Sequence, residues 1–421
     1  MTVAEAIPPA RPQLGRAVVP LLALAVLINY VDRGNLATAA PLMKGELHLS
    51  STQIGILVSA FFWSYVPSHA LVSWLIERIN AYRTLALGLA LWGLATAASG
   101  FATGFVSLLI LRILLGVGES AAFPCSSKLL AQHIAPDKLG AANGMITTGL
   151  ALGPAIGTFF GGILMAATGW RPVFLFFGLA SLLWLWPWLA TTGQASVAAT
   201  RNRDGPAPSV WTILRRWEAI GATLGQFCGN YAIYFVISWL PLYLVKSRGF
   251  SMTEMAELSG LIYLVYAANT VFSGWVCDRL IAAGASVTLV RKGAIVGGYL
   301  LIAASLVTCA VGDATVSVIS LFVAGFMFGV TAPALYCISQ TLAGPRVGGK
   351  WVSLQNGIAN IAGIVAPIIT GVVVDRTGEF YWAFVIAGAV SLVGAVAWGT
   401  MIRKVEQIDW GVQEPAVGTV A

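Results

Sequence analysis

Apolar runs long enough to cross a membrane follow one another almost end to end in this chain, and that succession governs what it can fold into. They fall at 17–40, 52–76, 84–104, 105–131, 139–167, 172–192, 215–245, 254–277, 288–311, 314–343, 351–374 and 380–402. A helix needs about 20 apolar residues to cross the hydrocarbon layer, so the pattern predicts an all-α membrane protein of about twelve transmembrane helices. Gly100 to Gly104 alone divide the third run from the fourth.

Composition agrees: 58% of residues are hydrophobic, 10% are charged, and the mean hydropathy is +0.83. Soluble domains carry about 25% charged residues, which excludes a soluble enzyme or a soluble nucleic-acid-binding module. The net charge of +7 comes from basic residues scattered through short connections rather than forming a stripe. The five cysteines stand in apolar runs without metal-ligand spacing, so no disulfide, metal or other cofactor is implied. Met1 to Gly15 contains prolines and no cleavable signal pattern, and the first apolar run is expected to remain as a span.

Charge placement sets the topology. With a cytoplasmic N-terminus, about 17 basic residues fall on the cytoplasmic side and about five outside, so both termini are predicted to be cytoplasmic. The expected organisation is a cytoplasmic N-terminal segment (1–16), a six-helix bundle (17–192), a cytoplasmic linker (193–214), a second six-helix bundle (215–402) and a cytoplasmic tail (403–421). Trp184, Trp186 and Trp188 read as an interfacial aromatic belt. The two bundles repeat each other. Trp74-Leu75-Ile76-Glu77-Arg78 recurs as Trp275-Val276-Cys277-Asp278-Arg279, and Asn143-Gly144 precedes Pro154 as Asn356-Gly357 precedes Pro367. Transporters built from such repeats bind substrate near the midplane where the halves meet.

Charges inside the spans are the second signal. Leu111 to Ser120 reads LRILLGVGES and puts Arg112 and Glu119 two helical turns apart, roughly 10 Å along one face. Asp32 and Arg33 interrupt the first span in the same way. An ionisable residue at that depth costs about 2.5–3.5 kcal/mol on insertion scales, so it marks a functional site by default. The plain alternative is a permanent structural ion pair of Asp32 with Arg112.

At these residues the chain resembles the major facilitator superfamily and, within it, the anion:cation symporters that include bacterial galactonate, glucarate and hexuronate transporters and animal sialin. The resemblance covers nearly the whole chain. It is carried by Asn29-Tyr30-Val31-Asp32-Arg33, Phe61-Phe62-Trp63-Ser64-Tyr65, Arg112-x3-Gly116-x2-Glu119-x4-Pro124, Asn230-Tyr231 with Trp239-Leu240-Pro241-x-Tyr243-Leu244, and Asn356-x3-Asn360-x2-Gly363-x3-Pro367. The chain departs from the family where relatives carry Pro-Gly-Gly before Asp-Arg: here stand Leu71, Val72 and Ser73, with Glu77 for Asp and Asn80 for Gly. Gly149-x3-Gly153-Pro154-x2-Gly157 resembles a motif associated with antiporters and also permits close helix packing.

Two arginines and two carboxylates leave the site neutral, so an incoming carboxylate demands a compensating proton. Arg33 and Arg112 are therefore expected to bind the anion, and Asp32 and Glu119 to carry protons; the resemblance implies the same roles. Tyr30, Tyr65, the stripe Gln226, Asn230 and Tyr234, and the pair Asn356 and Asn360 are expected to complete the substrate site, or to hydrogen-bond between helices. His69 reads as a hydrogen-bonded packing residue. Glu77, Arg78, Asp278 and Arg279 are expected to form a cytoplasmic gate. The leading reading is a non-enzymatic proton symporter for a small organic anion such as a sugar acid, resident in a bacterial inner membrane. Its partners are the anion, protons and the lipid bilayer, with no nucleic acid, and it is expected to act as a monomer. A uniporter or exporter of organic or aromatic acids and a transporter-like membrane sensor are the alternatives.

Overall fold

The structure, a computed structural model, describes residues 17–133, 136–192 and 209–410, with side chains at 131–144, 147, 150, 151, 345, 346 and 349 left aside. The expected N-terminal segment, most of the linker, the end of the tail and Asn143-Gly144 lie outside the described residues or side chains.

The helices run in chain order as α1 (Val18–Glu46), α2 (Ser51–Ile79), α3 (Ala81–Ser99), α4 (Phe105–Glu119), α5 (Ala122–His133), α6 (Pro136–Thr168), α7 (Trp170–Leu183), α8 (Leu185–Thr192), α9 (Val210–Leu214), α10 (Trp217–Lys246), α11 (Met252–Ala282), α12 (Val287–Val311), α13 (Ala314–Ala359), α14 (Ala362–Thr377) and α15 (Tyr381–Val396). Among the described residues ten helical stretches are long and apolar enough to cross a membrane. With α3 and α6 they account for the twelve expected spans.

Several spans are broken where unbroken helices were expected. The fourth divides between α4 and α5 directly after Glu119, and Ser120 Oγ donates to the Val117 carbonyl at 2.6 Å. The eleventh divides between α13 and α14 at Asn360, whose Nδ2 donates to the Asn356 carbonyl at 2.8 Å. In each case a short polar side chain takes up a carbonyl at the break, which is what lets a helix stop inside a membrane. The tenth span and the start of the eleventh are continuous as α13 through a bend at Gly344, where φ is +69°.

The described residues form two compact units. The first holds α1 to α8 with Phe235–Leu264 and Ile364–Phe380. In it α1 lies directly on α6, and Gly153 leaves no room for a Cβ beside Tyr30. The antiporter-like glycine motif is thus a packing surface in this fold, set against α1 at Leu27, Tyr30 and Val31. Gly116 on α4 likewise meets the Phe61 carbonyl and Ser64 of α2. At the end of the unit where α1 meets α2, the Asp375 carboxylate accepts the N–H groups of Ser51 at 2.8 Å and Thr52 at 2.7 Å. These are free donors at a helix N-terminus, where negative charge is favoured.

The tryptophan cluster differs from an aromatic belt. Trp184 and Trp188 are buried, stack at 4.8 Å and donate to the carbonyls of Leu21 and Tyr82; Trp186 alone is exposed. Pro187 has no N–H to bond the Leu183 carbonyl, where α7 ends, but Trp184 and Trp188 are four residues apart and keep to one helical face while Trp186 falls on the other. Asn80 holds a φ of +84°, a conformation that favours glycine, and its Oδ1 accepts the Arg83 N–H at 3.0 Å as the cap of α3.

The second unit holds Asn202–Tyr234, Val265–Gly363 and the chain from Tyr381 onward. Its core packs Trp351, Trp398 and Tyr299. The described part of the tail docks on this core: Ile408 N–H donates to the Leu342 carbonyl and Trp410 Nε1 to the Ala343 carbonyl.

Candidate anion site on α1, α2 and α4

Residues 32 and 33 are neighbours on one helix and so point about 100° apart. Arg33 turns toward α2 and α4. Its Nε donates to Glu119 Oε2 at 2.9 Å, with Glu119 wholly buried and Arg33 16% exposed. Three rings surround the guanidinium, with Cζ 4.5 Å from the Tyr30 centroid, 4.7 Å from Phe61 and 4.6 Å from Tyr65. Electron-rich ring faces stabilise the cation at a depth where water is scarce. Arg33 Nη2 and Glu119 Oε1 are buried and have no partner among the described residues.

Arg112 also lies near Phe61, its Cζ 5.8 Å from the ring centroid. It is 4% exposed, its Nε donates to the Leu57 carbonyl at 3.3 Å, and no described carboxylate stands at ion-pair distance. The two arginines therefore share one aromatic ring, but only one of them has an acidic partner.

Asp32 is 2% exposed and turns toward α7. Its oxygens accept from Asn35 Nδ2 at 3.2 Å and from Ser181 Oγ at 3.3 Å. The permanent Asp32–Arg112 pair considered as the plain alternative is absent among the described residues. Of the four charged positions the structure thus joins Arg33 with Glu119, adds Tyr30 and Tyr65, sets Arg112 one ring away, and gives Asp32 a polar pocket of its own. Phe61, Asn29, Asn35 and Ser181 belong to this region and were not singled out as site residues. The available signal was spacing: Phe61 is one turn before Tyr65, and Asn29 and Asn35 flank Asp32 at three residues on either side.

Within the second unit Gln226 Nε2 donates to Asn356 Oδ1 at 2.9 Å, and Tyr234 donates its hydroxyl to Asn360 Oδ1 at 2.6 Å. Asn230, between them on α10, is half-buried. Both expected stripes therefore engage in helix-to-helix hydrogen bonds. Of the expected gate residues, Glu77 and Arg78 are exposed, with Arg78 beside Trp74. In the second unit Asp278 pairs with Arg291 at 3.6 Å and Arg279 lies beside Trp275. His69 Nδ1 is within hydrogen-bond distance of the Tyr65 carbonyl at 2.8 Å and packs edge-on against that ring.

The family model of the Major Facilitator Superfamily matches residues 22–290 and 281–414. The chain belongs to the major facilitator superfamily. This facilitator is 29% identical to the “Probable sulfoacetate transporter” of Cupriavidus necator, over 90% of its own length and 91% of that protein. It is 28% identical to the hexuronate transporter of Bacillus subtilis, over 92% and 94% of the two chains, and 26% identical to the D-galactonate transporter of Escherichia coli, over 92% and 95%. In fold it is similar to a bacterial homologue of the human lysosomal transporter Spinster solved in an inward-facing, occupied conformation. That likeness has a TM-score of 0.79 at 18% identity and covers 92% of this chain and 96% of the other. The facilitator is accordingly a multi-pass membrane protein of a transporter superfamily.

Proposed function

We propose that this protein imports a small organic anion, a sugar acid such as a hexonate, hexuronate or glucarate, by proton symport through alternating access. The observation that carries the proposal is Arg112, a buried guanidinium with no acidic partner at ion-pair distance among the described residues, one ring away from Arg33. A buried cation without a counterion is costly, and a carboxylate with two oxygens matches the guanidinium fork. The names of the relatives, which include hexuronate, galactonate and sulfoacetate transporters, support an anion of this class.

Coupling follows from charge balance. The substrate carboxylate binds Arg112 and competes with Glu119 for Arg33. When Glu119 takes up a proton it gives up its ionic hold on Arg33, and the guanidinium turns its free Nη2 edge to the substrate. Asp32, held by Asn35 and Ser181, is the second proton carrier. The two six-helix halves, 17–192 and 215–402, carry the motion, with both termini on the cytoplasmic side of a bacterial inner membrane.

The test is uptake into proteoliposomes under an imposed inward proton gradient, with D-glucuronate, D-galactonate, D-glucarate and sulfoacetate as probes. Accumulation of one of them above equilibrium, abolished by a protonophore, is the expected result. Failure of every probe to exceed equilibrium would sink the symport reading.

A further inference from the structure

Around Asn29 the surface of α1 is buried, with aliphatic residues above and below it and Asp32 and Arg33 to either side. Leu22, Ala25, Val26 and Leu36 are all at 0% exposure, and Asn29 stands among them, also at 0%. Leu22 and Leu36 lie seven residues to either side of Asn29, so they stack above and below it, and packing alone calls for another aliphatic residue there. Neither Oδ1 nor Nδ2 of Asn29 has a hydrogen-bond partner among the described residues. A buried amide with both ends unmatched calls for water, an ion or a functional role.

Its position indicates which. Asn29 is one turn before both Asp32 and Arg33, about 60° around the helix from the first and about 40° on the other side from the second. It thus stands between the direction of Asp32 and the direction of the Arg33–Glu119 pair. Asp32 and Glu119 interact electrostatically yet share no hydrogen bond. Each carboxylate has further unmatched buried atoms beside it: Glu119 Oε1 and Arg33 Nη2 in one pair, and Asn35 Oδ1, whose amide nitrogen holds Asp32, in the other. Trp92 Nε1 on α3 is also unmatched, and Trp92 packs over Gly118, the residue before Glu119.

We propose that Asn29 is a positioning residue for proton coupling, whose amide holds buried water that passes a proton between Glu119 and Asp32. This rests on the symport reading above. In the step, the O–H bond of protonated Glu119 breaks as a water accepts the proton, and a water hydrogen-bonded to Asn29 delivers a proton to the Asp32 carboxylate, forming its O–H bond. Glu119 is left anionic and re-pairs with Arg33, Asp32 becomes neutral, and the net charge of the interior is unchanged. The amide donates with Nδ2 and accepts with Oδ1, so it can orient a chain of water without being protonated itself.

The test compares Asn29→Leu and Asn29→Ser with the parent in proteoliposomes, using D-glucuronate as the probe. Asn29→Leu is expected to keep substrate exchange, which needs no net proton movement, while gradient-driven accumulation falls about tenfold or more; Asn29→Ser, which retains a hydroxyl and leaves room for water, restores most of it. Equal loss of exchange and accumulation in Asn29→Leu, or no loss of either, overturns the proposal. Asn29→Val serves as the apolar variant should Asn29→Leu fail to insert. A second measurement needs no substrate: after a pH jump, infrared carboxyl bands assigned with Glu119→Gln and Asp32→Asn should respond together in the parent, and the Asp32 band should lag about tenfold in the apolar variant. Unchanged kinetics there overturn the proposal even if the parent transports none of the probes, whereas a parent that shows the linked bands without accumulation counts only against the symport reading.

Discussion

Arg33 and Glu119 make half of the pair that their geometry allows. Nε meets Oε2 at 2.9 Å, while Nη2 and Oε1 are both buried and unmatched among the described residues. A bidentate fork would hold the two residues permanently. A single contact leaves one donor for an incoming anion and one oxygen for an incoming proton. Glu119→Gln therefore should retain substrate exchange and lose gradient-driven accumulation. Counterflow and uptake assays on the same vesicles check this; parallel loss of both would assign Glu119 to binding or structure.

No carboxylate stands at ion-pair distance from Arg112 among the described residues, which under the proposed function leaves its charge for the anion. Arg112→Ala should raise the substrate dissociation constant about 100-fold or more, in line with a buried charge-assisted contact worth about 3 kcal/mol or more. Arg112→Lys should recover little, because an ammonium cannot present a fork. Calorimetric titration of the purified variants reads the effect, and unaltered affinity in Arg112→Ala would remove it from the site.

Phe61 lies against both guanidiniums, 4.7 Å from Arg33 and 5.8 Å from Arg112. Cation–π contacts contribute about 0.5–2 kcal/mol, so Phe61→Leu should weaken substrate binding roughly twofold to thirtyfold while Phe61→Tyr stays near the parent. A Phe61→Leu protein with parental affinity would mean that the ring merely fills space.

Asp375 binds the N-terminus of α2 through both carboxylate oxygens, accepting from Ser51 and Thr52. Asp375→Ala should loosen that end of the unit, whereas Asp375→Asn, which keeps one acceptor, should loosen it less. A cysteine placed at buried Ser59 of α2 reports the change. Its labelling by a membrane-impermeant maleimide should speed up about threefold in Asp375→Ala, equivalent to a shift of less than about 1 kcal/mol.

Sequence and structure divide the account at a definite place. The many apolar spans, and the presence of Asp32 and Arg33 in the first and of Arg112 and Glu119 in the fourth, were legible, because transfer cost acts along the chain one residue at a time. The tryptophan cluster shows the limit: three residues of identical type at alternate positions read as one belt, yet Trp184 and Trp188, four apart on one helical face, are buried against neighbouring helices while Trp186 is exposed.

The sequence by itself determined that this protein spans a membrane many times and spends insertion energy on two arginines and two carboxylates in its first and fourth spans. Only the tertiary structure decided which carboxylate meets which arginine. Depth follows from counting residues, but azimuth depends on how each helix is rotated and broken by its neighbours. Gly153 and Gly116 bring α6 against α1 and α4 against α2, the break after Glu119 ends α4, and the 100° step from Asp32 to Arg33 then sends one toward Ser181 and the other toward Glu119.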